Sequence, residues 1–210
     1  MNAPRTLPVP ADRLPRWFEN FAGRHGEARF TVDDGRLVAR AADGSVAEAA
    51  PPFGQVYDGS ADPHAFAEEI LVPEHWGILL VRKGGFAVAA LEGTAVVTSK
   101  VGQRHVQGRT KAGGQSQQRF ARRRDNQARQ AYEAAAGHAH RVLVVESSPL
   151  EALVCGGDRQ AVEAVLTDSR LAALSAVRTG PWLAVADPKR AVLDAAVADA
   201  CSAWVTITEA

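Results

Sequence analysis

The sequence predicts an α/β fold in which helices cover a mixed sheet. Three apolar, β-prone runs lie between residues 77 and 99, separated by glycine-containing turns, which is typical of an antiparallel meander. Beyond residue 140, predicted strands alternate with helices, a pattern that favours parallel strands in the same sheet. The chain has 210 residues, 46% of them hydrophobic and 23% charged, which suffices for one domain with a buried core and an extension.

The composition excludes a disordered, collagen-like or coiled-coil protein. No apolar run approaches the roughly 18 residues that a membrane span requires. The N-terminal residues carry no apolar stretch behind a basic region, so we expect no secretory signal. The two cysteines, Cys155 and Cys201, lie far apart inside apolar segments, which favours free thiols in a reducing compartment. We therefore expect a cytoplasmic protein without a membrane partner.

Residues 1–72 predict a small α+β module. An amphipathic helix over residues 10–25 has an apolar face formed by Leu14, Trp17, Phe18 and Phe21. Two strands, 28–32 and 37–41, are joined by Asp33-Asp34-Gly35, a strong hairpin signal. The stretch through Pro51-Pro52 has no clear pattern, and a short helix over 63–71 follows Asp62 as its N-cap. We assign residues 1–72 to an accessory module and residues 73–210 to the main domain.

The main domain is predicted element by element from the same signals. The meander comprises strands 77–81, 86–91 and 94–99, and residues 101–118 show no periodicity. A helix over 118–136 is expected to end at Gly137. The remaining elements are predicted strands at 142–146, 152–155 and 182–185, a helix at 158–167, and a last helix capped by Asp187.

The charge of the chain is strongly segregated, although its formal net charge is zero. Residues 100–129 contain nine basic side chains and one acid, a net charge of +8, so the rest of the chain carries −8. A solvated helix face normally mixes both signs. A basic block of this density on an acidic protein indicates a polyanionic partner.

The chemistry of the basic segment centres on Gly113-Gly114-Gln115. Adjacent glycines reach backbone torsions that are closed to other residues and allow the backbone to approach a ligand closely. Gln115 adds a backbone N–H and a side chain that both donates and accepts. None of these groups is a nucleophile at neutral pH. Such a tip positions water and stabilises a developing oxyanion, but it does not attack.

The helix predicted after this tip separates its residues by type. At 100° per residue, one arc of 120° contains Arg119, Arg122, Arg123, Asn126, Arg129 and Gln130. The opposite side, toward the sheet, contains Phe120, Ala121, Ala128, Ala131, Tyr132 and Ala135. Arg109 and Lys111 precede the tip. A helix with one arginine face beside a glycine tip suits a phosphate backbone.

These residues resemble a known family. Gly113-Gly114-Gln115-Ser116 followed by Arg119-Phe120-Ala121-Arg122 is similar to the Gly-Gly-Gln loop and following helix of the eukaryotic and archaeal class-one peptide-chain release factors. The resemblance covers about residues 76–210 and implies the RNase H-like central domain that carries this loop. In that family the glutamine enters the ribosomal peptidyl-transferase centre and promotes attack of water on the peptidyl-tRNA ester.

A catalytic domain that carries only a small N-terminal extension, here 72 residues, resembles the Vms-like release-factor branch, including its bacterial (actinobacterial) members. We expect no stop-codon-reading domain and no partner-binding domain here, so the expected activity is codon-independent. The resemblance implies a peptidyl-tRNA hydrolase acting on stalled ribosomes or large subunits, without a metal or cofactor. Gln115, Gly113 and Gly114 would then be catalytic. The residues expected to contact tRNA or ribosomal RNA are Arg109, Lys111, Arg119, Arg122, Arg123 and Arg129.

Two other functions remain open from the sequence. Members of the Vms-like branch are associated with cutting tRNA near its 3′ CCA end, so the same loop is compatible with a nuclease. A non-catalytic ribosome-binding module would use the basic segment for affinity alone. His138 and His140 lie two residues apart, but without a Cys or acid at ligand spacing we expect an exposed helix end rather than a metal site.

Overall fold

The structure is a computed structural model that describes residues 3–83, 85–103 and 129–210. The chain divides into two compact units. The first comprises Met1–Val72 with Val197–Ala210, and the second comprises Pro73–Ala196. The sequence assigned residues 73–210 to one domain, whereas the last 14 residues cluster with the N-terminal unit.

The elements are numbered in chain order. The strands are β1 (Arg5–Val9), β2 (Ala28–Asp33), β3 (Arg36–Ala41), β4 (Val46–Ala50), β5 (His75–Arg82), β6 (Gly85–Glu92), β7 (Ala95–Gln103), β8 (Ala152–Gly157), β9 (Arg178–Leu183) and β10 (Ala203–Thr208). The helices are α1 (Leu14–His25), α2 (Pro63–Glu68), α3 (helical over the described residues 129–140), α4 (Arg159–Leu166) and α5 (Arg190–Ala200). Short 3-10 or π-helical pieces are Ala11–Arg13, Arg141–Val145 and Ser169–Ser175.

The first unit contains an antiparallel sheet in the order β1-β10-β4-β3-β2. Helix α1 buries Leu14, Phe18 and Phe21 in a core that includes Leu37 and Ala39 of β3. The predicted hairpin is present between β2 and β3. Asp34 and Gly35 both have positive φ angles, 46° and 70°, as a two-residue turn that matches strand twist requires.

Two strands of this sheet are absent from the sequence prediction. β4 lies just before Pro51-Pro52, in the stretch that shows no clear pattern. β10 lies near the C-terminus and pairs with β1 on one side and β4 on the other. It therefore fills the place between two N-terminal strands, which is the physical reason that the C-terminal residues belong to the first unit. Because β10 pairs with strands from the other end of the chain, no local pattern in the sequence predicts it.

The second unit contains a mixed sheet in the order β7-β6-β5-β8-β9. β5, β6 and β7 form the predicted antiparallel meander, and β8 and β9 are parallel to β5. The arrangement is that of an RNase H-like mixed sheet with flanking helices, so the predicted fold class is confirmed. One core cluster joins the sheet to α3 and α4, through Ala135, Ala139 and Val162 among others.

Two predictions for residues 129–146 are wrong. The expected strand at 142–146 is a π-helical turn that continues α3, and Gly137 lies inside the helix instead of ending it. Residues 141–145 pack against β6 and β7 instead of adding a strand to the sheet. Val142 and Leu143 are buried, while Val144 and Val145 are 43% and 64% exposed. Adjacent residues thus share an environment, which is a helical pattern and not the alternation of a strand.

Other predictions differ from the structure mainly in their bounds. Asp62 caps α2 as predicted, and Asp158 caps α4 at the start of the helix predicted at 158–167. Each accepts hydrogen bonds from two backbone N–H groups. β9 begins at Arg178, four residues before the predicted strand, and the last helix begins at Arg190. The predictions for residues 104–128, including most of the helix at 118–136, lie outside the described residues.

Gly157 closes β8 in a conformation that other residues rarely adopt, with φ of +94°. A Cβ there would collide with the carbonyl oxygen of Val81, which also accepts from the Asp158 N–H at 2.8 Å. We expect Gly157→Ala to lower the free energy of unfolding by about 3 kcal/mol, from strain and displacement of this backbone. Gly93→Ala is the matched control, because its φ is also positive (+54°) but nothing lies within 4 Å. Thermal unfolding should show a loss of only about 1 kcal/mol for the control. Equal losses would contradict the steric argument.

Candidate nucleic-acid interface

Most of the predicted site residues lie in the segment 104–128, outside the described residues. These are Gly113, Gly114, Gln115, Arg109, Lys111, Arg119, Arg122 and Arg123. Arg129 is described and is exposed on α3. The structure therefore defines the surroundings from which this segment departs and to which it returns, namely the end of β7 at Gln103 and the first described turn of α3.

The segment departs from the carboxyl edge of the mixed sheet, by which we mean the edge where β5, β7, β8 and β9 end. β7 and β5 are both antiparallel to β6 and so point the same way as β8 and β9. The register places Gln103 of β7 opposite Gly85, and Gly85 opposite Arg82 of β5. Ligands of open α/β sheets bind outside the carboxyl ends of the strands. The predicted catalytic segment thus leaves the fold at the edge where such sites occur.

A cleft of about 240 Å³ at this edge is shared by β7 and α3. Gln103 lines it from the strand, and Ala131 and Tyr132 line it from the helix. The rings of Phe86 and His138 stack in its wall, with centroids 5.3 Å apart and planes 23° apart. Described residues on either side of the segment 104–128 therefore line one cleft with an aromatic wall.

The close approach of strand and helix depends on small residues. A Cβ at Gly102 would run into the Phe86 ring, and a Cβ at Gly85 would lie 2.6 Å from the Gly102 carbonyl oxygen. On the helix side, Ala135 and Ala139 are buried against the sheet. The alanine face predicted from the sequence is the face that packs. Consequently Arg129 is directed away from the core.

Burial and nearby cations control the titrating groups of the cleft. Burial lowers the pKa of His138, and the positive charges of Lys100 and Arg141 lower it further. The imidazole is therefore neutral at pH 7. Burial also raises the pKa of Tyr132, with a contribution from the negative charge of Asp158, so the phenol stays protonated. Neither group provides a strong base here.

A second feature of the carboxyl edge escaped the sequence analysis. The guanidinium carbon of Arg159, the first residue of α4, lies 4.3 Å from the centroid of the Trp182 ring, and that of Arg178 lies 5.6 Å from it. Arg178 is also paired with Glu163 at 2.6 Å. The Trp182 side chain is half-buried. Arg159 follows β8 closely, and Trp182 lies near the end of β9, the adjacent parallel strand. Their positions at the ends of neighbouring parallel strands would have predicted that they lie close together.

Arg82, by contrast, is held by the protein itself. Its Nη1 donates to the carbonyl oxygen of Val185 at 2.6 Å, and its Nε lies 3.7 Å from Asp187. These contacts fix the chain that follows β9 against the end of β5. Arg159 and Arg129, in contrast, are exposed and accessible to a partner.

The described residues supply no activated thiol. Burial raises the pKa of the Cys155 and Cys201 thiols to about 11, so both are protonated at neutral pH. Within the described ranges, no three His, Cys, Asp or Glu side chains gather where they would hold a metal ion. In the same ranges, no helix has the length and apolar character needed to cross a membrane.

Residues 74–206 match the model of the Actinobacteria/chloroflexi VLRF1 release factor family. The chain belongs to this family. The resemblance found in the sequence is thereby confirmed at the level of the family. The matched range includes Gly113-Gly114-Gln115 and the two elements that flank the basic segment, β7 and α3. Membership supports a release-factor-like role in translation.

Solved structures that are similar to this chain include those of two archaeal proteins. The crystal structure of an archaeal translation termination factor, aRF1, is 15% identical, with a TM-score of 0.37 over 74% of this chain and 46% of that one. The crystal structure of Pelota from Archaeoglobus fulgidus is 10% identical, with a TM-score of 0.28 over 92% of this chain and 60% of that one. The chain thus spans about half the length of these proteins. No protein of curated function matches it.

Proposed function

We propose that this protein is a peptidyl-tRNA hydrolase that frees the nascent peptide from tRNA on stalled ribosomes or large subunits, independently of a codon. The observation that carries the proposal is Gly113-Gly114-Gln115-Ser116, followed in register by Arg119 and Arg122, in a chain of a release-factor family. Neither the Gly-Gly-Gln-Ser tip nor the arginines of the following helix would identify this function alone. Together they combine a water-positioning tip with a phosphate-binding helix.

The proposed reaction is direct attack of water on the ester that joins the peptide to the 3′ end of tRNA. Gln115 orients the water, and the backbone at Gly113 and Gly114 allows the tip to approach the ester closely. The hydroxyl of water bonds to the carbonyl carbon, and the departing tRNA oxygen receives the proton. The tip contains no nucleophile, so no covalent intermediate with the protein forms.

The described residues support this proposal through their placement. The alanine face of α3 is packed on the sheet, while exposed Arg129 continues the cationic arc of Arg119, Arg122 and Arg123. Arg109 and Lys111 would bind phosphates before the tip. The partners of this surface are peptidyl-tRNA and ribosomal RNA, both dense in phosphate.

The test is the identity of the products from stalled peptidyl-tRNA–ribosome complexes under single-turnover conditions. Ester hydrolysis gives free peptide and intact tRNA. A tRNA endonuclease gives peptide still joined to a 3′ CCA fragment, and a binding module gives neither. Either of the latter results would overturn the proposed hydrolysis.

The Arg159–Trp182 pair should add to ribosome binding if the carboxyl edge is part of the interface. We expect Arg159→Glu to weaken binding about tenfold and to reduce the slope of log affinity against log salt by about 0.7, the value for one lost phosphate contact. A glutamate is well tolerated in the first turn of α4, since it complements the helix dipole.

The matched control for this measurement is Arg40→Glu, an exposed position on β3 of the first unit with the same change in charge. The affinity of both variants for ribosomes is measured by sedimentation at several salt concentrations. Identical slopes for the two would remove the carboxyl edge from the interface. Thermal unfolding of Arg159→Glu shows whether the fold is intact.

A further inference from the structure

The first unit contains a groove of about 440 Å³ between α1 and the sheet, which we call the α1 groove. One wall is a stripe of α1 with the spacing of successive helical turns, formed by Trp17, Asn20, Phe21 and Arg24. The other wall is formed by β1, β10 and the residue after β10, and includes Arg5, Leu7, Ile207 and Glu209. Since Arg5 pairs with Ile207, the two strand walls are continuous.

The groove follows from where α1 packs. The helix contacts β3, which is separated from β10 and β1 by β4 in the sheet order. The ends of β1 and β10 near Arg5 and Ile207 therefore keep an open face beside the last turns of the helix. Polar and charged side chains on that face are solvent-accessible, and Arg5 and Arg24 are both exposed.

The aromatic side of the groove is held rigidly. The Trp17 ring stacks on Phe21 with centroids 5.8 Å apart and planes 8° apart, and meets Phe18 edge-on at 5.0 Å. Phe18 and Phe21 are buried in the core, so the indole rests on a fixed support while remaining half-buried. A preorganised ring loses little conformational entropy when a ligand stacks on it.

The charge of the groove is opposite to that of its unit. Met1–Val72 and Val197–Ala210 together contain seven arginines, no lysine and thirteen acids. Yet the groove is lined by two arginines, Arg5 and Arg24, against one acid, Glu209. The His25 ring is oriented by Asp43, whose Oδ2 lies 2.9 Å from Nδ1. A cationic, aromatic groove on an acidic unit is suited to an anion that carries flat rings.

We propose that the α1 groove binds single-stranded RNA, with a base stacked beside Trp17 and phosphates bound by Arg5 and Arg24. Aromatic platforms combined with arginines are the recurring means of holding unpaired bases. An acidic peptide would satisfy the arginines but would leave the flat indole face without a matching group. This inference goes beyond the proposed hydrolysis, because it gives residues 1–72 a role that does not depend on Gln115.

The test uses the full chain carrying Arg119→Glu, Arg122→Glu and Arg123→Glu, so that binding through the basic segment is removed first. The probe is a fluorescein-labelled RNA of about ten nucleotides, within the site size of single-strand binders. In this background we expect residual binding that Trp17→Ala weakens about tenfold, the loss of one base stack. Arg24→Ala and Arg5→Ala should each reduce the slope of log affinity against log salt by about 0.7, because each removes one phosphate contact.

The control is Arg16→Ala, on the same helix but outside the groove lining, where Arg16 pairs with Glu19 at 3.3 Å. It should bind RNA like the parent. Because Trp17→Ala removes a half-buried side chain, the exposed arginine variants test the proposal independently of folding. Photo-crosslinking of an RNA containing 4-thiouridine to the unsubstituted chain should label α1 at or beside Trp17.

The proposal is overturned if the background protein binds no RNA, or if Arg5→Ala and Arg24→Ala bind as tightly as Arg16→Ala. Crosslinks confined to other parts of the chain would have the same consequence. A competing polyglutamate peptide that binds the groove when RNA does not would identify an acidic peptide as the ligand instead. None of these outcomes bears on peptide release, which is measured separately.

Discussion

Replacing Gln115 by alanine is expected to slow single-turnover peptide release by about 10²–10³, the usual effect of losing one preorganised contact to the reacting centre. Binding to the stalled complex should change little, because the arginines that bind phosphate remain. The expected result is therefore a lower rate at saturating enzyme with an unchanged half-saturating concentration. Such a pattern marks an interaction made in the transition state and not in the bound ground state.

The best control for this experiment is Gln117→Ala, two residues further along the same segment. It removes an identical side chain and should leave the release rate near that of the parent. Gly114→Ala should slow release for another reason, since a Cβ closes the torsions that the tip requires. Parent-like release by Gln115→Ala would contradict the catalytic assignment and favour the binding module.

Local signals predicted much of the fold because they act over a few residues. Asp34-Gly35 specifies a two-residue hairpin through its positive φ angles, and Asp62 and Asp158 specify helix starts through their side-chain oxygens. The three apolar runs of the meander are bounded by turns, so their order and pairing follow from sequence alone. In each case the determining interaction lies within the same short segment.

The errors arose where partners are distant in sequence. β10 is placed by pairing with β1 and β4, and nothing near residues 203–208 indicates those partners. The run at 142–145 is rich in β-branched valine, yet it is helical and packs against β6 and β7 instead of pairing with a strand. Tertiary packing overrides strand propensity here.

The candidate site shows the same contrast between features that local sequence predicts and features that depend on distant partners. The chemistry of Gln115 and the arc of Arg119, Arg122 and Arg123 can be read from residue types and spacing. The meeting of Arg159 with Trp182 and the cleft between β7 and α3 require the topology of the sheet. Sequence therefore predicts which groups act, and the fold predicts which further groups are placed beside them.

Reversing three charges, Arg119→Glu, Arg122→Glu and Arg123→Glu, is expected to weaken binding to ribosomes or tRNA at least about 100-fold near 0.1 M salt. Each single-strand-like phosphate contact contributes about −0.7 to the slope of log affinity against log salt, so three lost contacts flatten it by about 2. Over the tenfold dilution from about 1 M to 0.1 M salt, a slope change of 2 corresponds to the expected loss. Repulsion between glutamate and phosphate increases this loss of affinity further.

The matched control reverses three exposed arginines of the first unit that lie outside the α1 groove lining, Arg13→Glu, Arg16→Glu and Arg40→Glu. It changes the net charge by the same amount, so a general electrostatic effect would weaken both triple variants alike. Arg119, Arg122 and Arg123 belong to the polar arc of the predicted helix. The triple variant of the basic segment should therefore unfold at the same temperature as the parent protein. Binding of both variants is measured as a function of salt, with thermal unfolding in parallel. An unchanged slope for the basic-segment variant would show that its phosphate-binding face lies elsewhere. A flattened slope for that variant alone would assign the electrostatic part of binding to Arg119, Arg122 and Arg123.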